Sequence, residues 1–344
     1  MYVLVLMILI LGIYISLQVS MLSKLGLPAT PQYTARTTQS QQRRHRQWVR
    51  LIQMRRQPGY EKNTNGAFIH MGKTGGSTLS LRLRNGCHSY MTKPCRSVPL
   101  ETVASRLVGT YYHVPDFGLI PQSKHPFYIM TLRDPFQRSV SAFVYEHLDN
   151  VKARGETISP LSEEAKTEAK KCFPTLETFV EYIGDNPDDY DYPYHRSQIV
   201  ATNCTSLARA VMDAKVRRFN HFFFPFQKIR DFIPTDNNPI IFATRQEHLW
   251  YDWKKINFLL GQVGDVVTPP DKARDLSDVN QPVTRDLSEL GRHRLCKALQ
   301  KEYDGYVRIL REAINLNDKD VEESLAEIHQ NCPNVIIWDE PDGA

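Results

Sequence analysis

Two short stretches of the chain bring together the residue types that bind oxyanions. The first, FIHMGKTGGSTLS, covers residues 68–80. An apolar run stops at Gly72 and Lys73, and Gly75, Gly76, Ser77 and Thr78 lead into a helical pattern. A strand–glycine loop–helix unit cradles anions, because free backbone N–H groups at the helix start point at the ligand and the helix dipole favours negative charge. Gly75 and Gly76 permit close approach and positive φ. Lys73 adds a point charge, the backbone of Thr74 to Ser77 adds N–H donors, and Ser77 and Thr78 add hydroxyls. The second stretch, TLRDPFQRSVSAF, covers residues 131–143. A strand pattern ends at Arg133, Pro135 suits the first turn of a helix, and that helix carries Arg138 and Ser141. Arg133 and Ser141 can converge on a second phosphate, with the guanidinium as bidentate donor. Taken alone, the stretch equally allows Arg133 to pair with Asp134 or a helix end.

The loop departs from that of nucleoside-triphosphate enzymes. The pattern G-x-x-x-x-G-K-[ST] requires a glycine at position 67, where this chain has Ala67, and Gly66 is one residue out of register. Lys73 also precedes its glycine pair, and no strand ending in Asp supplies a Walker B partner. A P-loop kinase binding ATP and magnesium is therefore the weaker reading.

The surrounding elements must hold these groups in place. AFIH, RLVGTYYHV (106–114), PFYIMTLRD (126–134), HFFFPF (221–226) and the start of PIIFATRQEHLW (239–250) read as strands. The stretch after Pro135, FPTLETFVEYIGDN (173–186), the segment after Arg245 and one long helix over 288–313 read as helices. Strands alternating with helices predict an α/β, P-loop-like domain with a central, mostly parallel sheet flanked by helices. In such sheets ligands bind beyond the carboxyl ends of the strands, which directs attention to Lys73–Thr78, His113 and Arg133.

The chain has 344 residues, 41% hydrophobic and 24% charged, which excludes wholesale disorder. Its net charge of +5 fits an anionic cofactor or an acidic polymer. No metal is demanded, because no Asp/His cluster has ligand spacing, and no nucleic-acid partner is expected. The oligomeric state is left open. Residues 1–22 carry no charge and are long enough for one N-terminal transmembrane helix, a retained signal-anchor rather than a cleaved signal peptide, since the apolar run is long and no A-x-A site follows it. Residues 23–64 read as a stem or linker, 65–318 as the folded domain and 319–344 as a C-terminal tail. Within the stem, RRHRQWVRLIQMRR (43–56) reads as a solvated segment, or else as a basic amphipathic helix for a membrane surface or polyanion. Basic residues follow the anchor rather than precede it, which by the positive-inside rule would place the domain in the cytoplasm. The sequon at Asn203 and six cysteines, Cys87, Cys95, Cys172, Cys204, Cys296 and Cys332, point to the lumen instead.

KTGGST after one strand and RDPFQRSVSAF after another resemble the cofactor site of sulfotransferases that use 3'-phosphoadenosine 5'-phosphosulfate. FIHMGKTGGST is especially similar to the loop of Golgi carbohydrate sulfotransferases of the heparan sulfate 2-O and 6-O type. Weaker likenesses are VGTYYHVP (108–115) to a G-H-x-P segment, with two tyrosines between Gly109 and His113, TRQEHLWYDW (244–253) to an R-x-E-H-L-x-x-D-W helix, and LCKALQKEYDGY (295–306) to a late helix. The resemblance spans roughly residues 66–312. It implies a type II Golgi membrane protein with a luminal domain and a glycan or polysaccharide acceptor. It further implies Lys73 at the bridging oxygen, Thr74, Gly75, Gly76, Ser77 and Thr78 around the phosphosulfate, Arg133 and Ser141 on the 3'-phosphate, and His113 as general base. His195, with Arg196 in DYPYHRSQ, is the rival base or an acceptor contact; His70 and His248 fit packing roles, and Lys272 and Arg285 lie in a late loop over the nucleotide. A catalytically inactive binding relic of the same fold remains the alternative.

Overall fold

The structure, a computed structural model, describes residues 39–76, 78–79, 102–113, 124–155, 158, 160–183, 203–212, 226, 229, 233, 239–266 and 282–337. Its centre is a four-stranded sheet in the order β2-β1-β3-β4, with β1 Gly66–His70, β2 Val108–His113, β3 Phe127–Leu132 and β4 Ile240–Arg245. Every pairing is parallel. The alternation of side chains divides each strand between two cores. Ala67, Ile69, Tyr128, Met130, Leu132, Ile241 and Ala243 join one apolar cluster, and Phe68, Phe127, Ile129, Ile240 and Phe242 join the other. Both faces are thus buried under helices, the usual condition for a parallel sheet.

The edge of β4 is closed by side chains. Gln47 Oε1 accepts from Ile241 N at 2.8 Å. Asn315 accepts from Ala243 N at 2.9 Å and donates to Ala243 O at 2.8 Å. These amides supply the partners that a further strand would otherwise provide. Gln47 belongs to the Gln39–Arg55 helix, so residues read from sequence as stem are packed against the domain. Leu51 is buried there, Arg43 pairs with Glu312, and Arg44 donates to the carbonyls of Arg311 and Leu316. The basic character of this segment is partly consumed by these contacts. Its apolar minority, with Leu51 one turn beyond Gln47, docks it.

The expected C-terminal tail likewise begins as structure. The Asp318–Asn331 helix opens with a capping box between Asn317 and Asp320 and buries Val321 and Ile328. Its end is tied down by a disulfide between Cys332 and Cys296; a second joins Cys172 to Cys204. Cys87 and Cys95 lie outside the described residues. The single long helix expected over 288–313 is two, Glu289–Ala298 and Gln300–Glu312, meeting at Leu299. In the strand expected at 221–226, only Phe226 is described, and it is helical. Asn203 is exposed, and its Oδ1 caps the Cys204–Met212 helix by accepting from Ser206 N at 2.8 Å. Among the described residues no helix is long and apolar enough to cross a membrane; residues 1–22 lie outside them.

Candidate active site

The strand order decides where a ligand can sit. From β1 the chain moves to β2 on one side, then returns past β1 to β3 and on to β4 on the other side. The crevice at such a reversal opens between the carboxyl ends of β1 and β3. The Met71–Gly76 loop follows β1 and Arg133 follows β3, so both expected anion-binding stretches reach this crevice.

The loop is held in a strained and close-fitting form. Lys73 has φ 66°, the one non-glycine residue with positive φ among the described residues, and Gly75 has φ 75°. A lysine in this region costs on the order of 1 kcal/mol and persists only where neighbours enforce it. Arg133 is one such neighbour: its Nη1 donates to Lys73 O at 3.3 Å. Thr74 is another. Its hydroxyl donates to Met71 O at 2.7 Å and meets Thr131 Oγ1 at 2.6 Å, so it braces the loop instead of facing a ligand. At Gly76 a Cβ would lie 2.2 Å from His70 Cδ2 and 2.8 Å from Thr131 Oγ1, which leaves room for glycine alone. Gly76, Thr78 and Leu79 are helical, and Thr78 N donates to Gly75 O at 3.0 Å. Ser77 lies outside the described residues.

After β3, Asp134 caps the Pro135–Glu146 helix by accepting from Gln137 N at 2.9 Å. Tyr303 donates its hydroxyl to the other Asp134 oxygen at 3.2 Å. Burial pushes the Asp134 carboxyl up to about 7, opposed by these two hydrogen bonds. The two arginines of this stretch have different roles. Arg138 is 1% exposed and pairs with Glu302 at 2.8 Å, so it is a structural cation. Arg133 is half-buried, and its Nε is buried without a hydrogen-bond partner. Burial lowers its pKa, and Arg285 pushes the same way while Glu247 opposes. Ser141, two turns into the helix, is 8% exposed.

Positive charge concentrates around Lys73. Burial pushes its ammonium down to about 8; Arg133, Arg154 and Arg285 add repulsion, and Glu146 opposes. Glu146 is itself ion-paired with Lys166. Lys73 Nζ lies 3.8 Å from the centroid of the Tyr145 ring. A cluster of cations in a partly desolvated crevice is unfavourable by itself and becomes favourable with an anion between its members. The geometry therefore fits a multiply charged anionic ligand, held by a strained lysine loop and an arginine with an unused donor.

The other expected residues divide. His113 ends β2, its backbone in register with His70 of β1, so it belongs to the same end of the sheet; its side chain lies outside the described set. His195, Arg196 and Lys272 also lie outside the described residues. Arg285 is exposed yet close enough to act electrostatically on both Lys73 and Arg133. His248 sits 3.6 Å from Glu327, in a short helical turn after β4. Arg245 of the TRQEHLWYDW stretch is a core residue, 0% exposed and bidentate to Asp252 at 3.0 Å on both oxygens. Sequence reasoning did not single out Tyr145, Thr131 or Gln246, whose Cγ would be 3.2 Å from a Cβ at Gly75. Only Tyr145 leaves a trace in the sequence, four residues after Ser141 and so on the same helix face. Among the described residues no group of His, Cys, Asp and Glu could hold a metal ion.

The fold is α/β with a parallel central sheet, and its crevice gathers backbone, lysine and arginine groups suited to an oxyanion. Residues 67–222 match the model of the sulfotransferase family, a span that contains both oxyanion stretches and supports sulfuryl transfer as the reaction. No curated protein and no solved structure matched the chain.

Proposed function

We propose that the protein transfers the sulfuryl group of 3'-phosphoadenosine 5'-phosphosulfate to a hydroxyl of a carbohydrate. The observation that carries this reading is the union of Lys73 and Arg133 at the sheet's reversal point, joined by the hydrogen bond to Lys73 O, within the span that matches sulfotransferases. A donor with phosphates at both ends needs two anchors, and the crevice offers one on each strand. Arg133, with an unused Nε, and Ser141 hold the 3'-phosphate. The backbone of Thr74 to Ser77 holds the 5'-phosphosulfate, with Thr78 beside it.

The donor supplies a sulfonate on a good leaving group, and the transition state for its transfer is loose, so positioning and charge neutralisation carry most of the rate. The acceptor oxygen forms a bond to sulfur as the bond from sulfur to the bridging oxygen breaks. Lys73 neutralises the charge that develops on that oxygen as adenosine 3',5'-bisphosphate leaves. His113 takes the acceptor's proton at its imidazole, a group that titrates in the right range. Thr74 and Thr131 keep the loop closed while charge moves. The basic surplus and the similarity of FIHMGKTGGST to carbohydrate sulfotransferases favour a glycan acceptor, bound near His195 and Arg196. The uncharged segment 1–22 and the sequon at Asn203 favour a type II anchor in the Golgi with the domain in the lumen.

The test is transfer of labelled sulfonate from the donor to heparan-type and other polysaccharides by the full chain. The reading expects incorporation that Lys73→Ala and His113→Ala each lower by at least about 100-fold. Binding of ATP with magnesium in place of the donor would return the loop to the nucleotide kinases, and donor binding without transfer to any acceptor would favour the inactive relic.

A further inference from the structure

Tyr145 stands out among the groups near the crevice because two cations share its ring. Lys73 Nζ is 3.8 Å from the ring centroid, and the Arg154 guanidinium carbon is 4.4 Å from the same centroid. Arg154 Nη2 also donates to the carbonyl of Tyr145 at 2.7 Å, which fixes the arginine relative to the ring. Lys73 and Arg154 repel one another across this space. An aromatic face offsets such repulsion, since its quadrupole attracts each cation, the more so where water is partly excluded. Tyr145 reaches the crevice because it lies one helical turn beyond Ser141 on the Pro135–Glu146 helix. A lysine with four rotatable bonds would otherwise sample many positions, and seating it on a rigid ring reduces what must be ordered when a ligand binds.

We propose that Tyr145 is a positioning residue whose ring seats the Lys73 ammonium beside the Arg154 guanidinium, so that two positive groups face the anionic donor at the loop. The proposal rests on the donor reading above and adds Tyr145 and Arg154 to its site. The charged groups acting on Lys73 are Arg133 from the end of β3, Glu146 and Arg154 from the helix and the turn beyond it, and Arg285 from the late loop. Of these, Arg154 alone shares the ring with Lys73 in the described contacts.

The experiment is calorimetric titration of the full chain with adenosine 3',5'-bisphosphate from pH 6.5 to 9.5, in wild type, Tyr145→Phe, Tyr145→Leu and Arg154→Gln. Circular dichroism melts check that each variant is folded. Tyr145→Phe, which keeps the ring, retains wild-type affinity and the same fall in affinity at basic pH. Tyr145→Leu weakens binding about tenfold and moves that fall to lower pH, because loss of the ring face disfavours the charged ammonium. Arg154→Gln weakens binding several-fold at pH 7 and moves the fall to higher pH, because a repelling charge is gone. Equal affinity and an unmoved pH profile in Tyr145→Leu would overturn the proposal. So would Tyr145→Phe being impaired as strongly as Tyr145→Leu, which would assign the effect to the hydroxyl. Weaker binding with no shift of the profile would reduce Tyr145 to packing. Failure of the wild type to bind the bisphosphate would instead sink the donor reading, and is separable because it appears before any variant is compared.

Discussion

Arg133 and Arg245 end neighbouring strands, one residue past β3 and at the last position of β4, where Leu132 pairs in register with Arg245. Their surroundings differ sharply. Arg245 is 0% exposed and surrounded by oxygen: Asp252 takes it bidentately, and Asp320 accepts from it through both its carbonyl and its carboxylate. Burial works against its charge, but the carboxylates outweigh burial and hold its pKa above the ordinary value. Arg133 has its pKa lowered by burial, has an unused Nε, and spends one donor on the backbone of Lys73. The same residue type at nearly the same height of one sheet is thus an ion-paired core cation in one place and an incompletely compensated cation at the crevice in the other. The carboxylates around it make the difference, because a buried charge is stable only when compensated. Around Arg245 the chain supplies the compensation with Asp252 and Asp320; around Arg133 Glu247 and Asp134 offset burial only in part, which suits an anionic ligand.

This contrast can be broken most forcefully at Arg245. Arg245→Ala leaves Asp252 buried without its partner and should cost about 3–5 kcal/mol in chemical denaturation, enough to unfold much of the population. Retained stability in that variant would show that the carboxylates do not depend on it. Next comes Gly76→Ala, whose methyl would overlap His70 and Thr131. The loop must shift, at about 1–3 kcal/mol of stability, and bisphosphate binding should vanish in calorimetry. Unchanged binding would mean that the loop's close approach is not used.

A milder probe is pH. Burial pushes the Lys73 ammonium down to about 8, and a bound anion would favour its charged form. Binding above that pH therefore takes up a proton, and affinity should fall as pH rises through about 8, by up to tenfold per unit. Lys73→Gln should flatten the profile, and a profile flat in the wild type would remove Lys73 from the site. The smallest effect concerns Asp134, held near 7 against an ordinary carboxylate value of 3.8. Between those values the folded protein keeps a proton that the unfolded chain has lost, so the carboxyl's contribution to stability declines as pH rises from about 4 to 7. Asp134→Asn keeps the helix cap and should flatten that dependence between about pH 4 and 7 in pH-resolved melts; a slope that persists in the variant would show that Asp134 is not its source.

All four described strands, the glycine loop and the position of Arg133 were legible in the sequence, because local patterns determine them. Apolar runs of five or six residues ending in polar groups mark buried parallel strands, and Pro135 after Asp134 marks a capped helix. In β2 the place of His113 at the strand end was legible, whereas its role as a base came only from the resemblance. Pairing decisions were not legible. Arg133 and Arg138 look alike in RDPFQR, and only the long-range arrival of Glu302, 164 residues later, separates them. The docking of Gln39–Arg55 was hidden because its few apolar residues sit among charges whose partners, such as Glu312, come from the far end of the chain. The seat of Lys73 on Tyr145 was hidden for the same reason: a loop and a helix meet only once the sheet is built.

The central claim is that Lys73 and Arg133 form one oxyanion site in a fold where Arg245 is structural. It is tested most directly by titrating adenosine 3',5'-bisphosphate into wild type and Arg133→Ala, with unfolding free energies measured in parallel. The account predicts that Arg133→Ala keeps its stability within about 1 kcal/mol and loses on the order of 100-fold in affinity. A variant that binds as tightly as wild type, or that unfolds as Arg245→Ala is expected to, would contradict it.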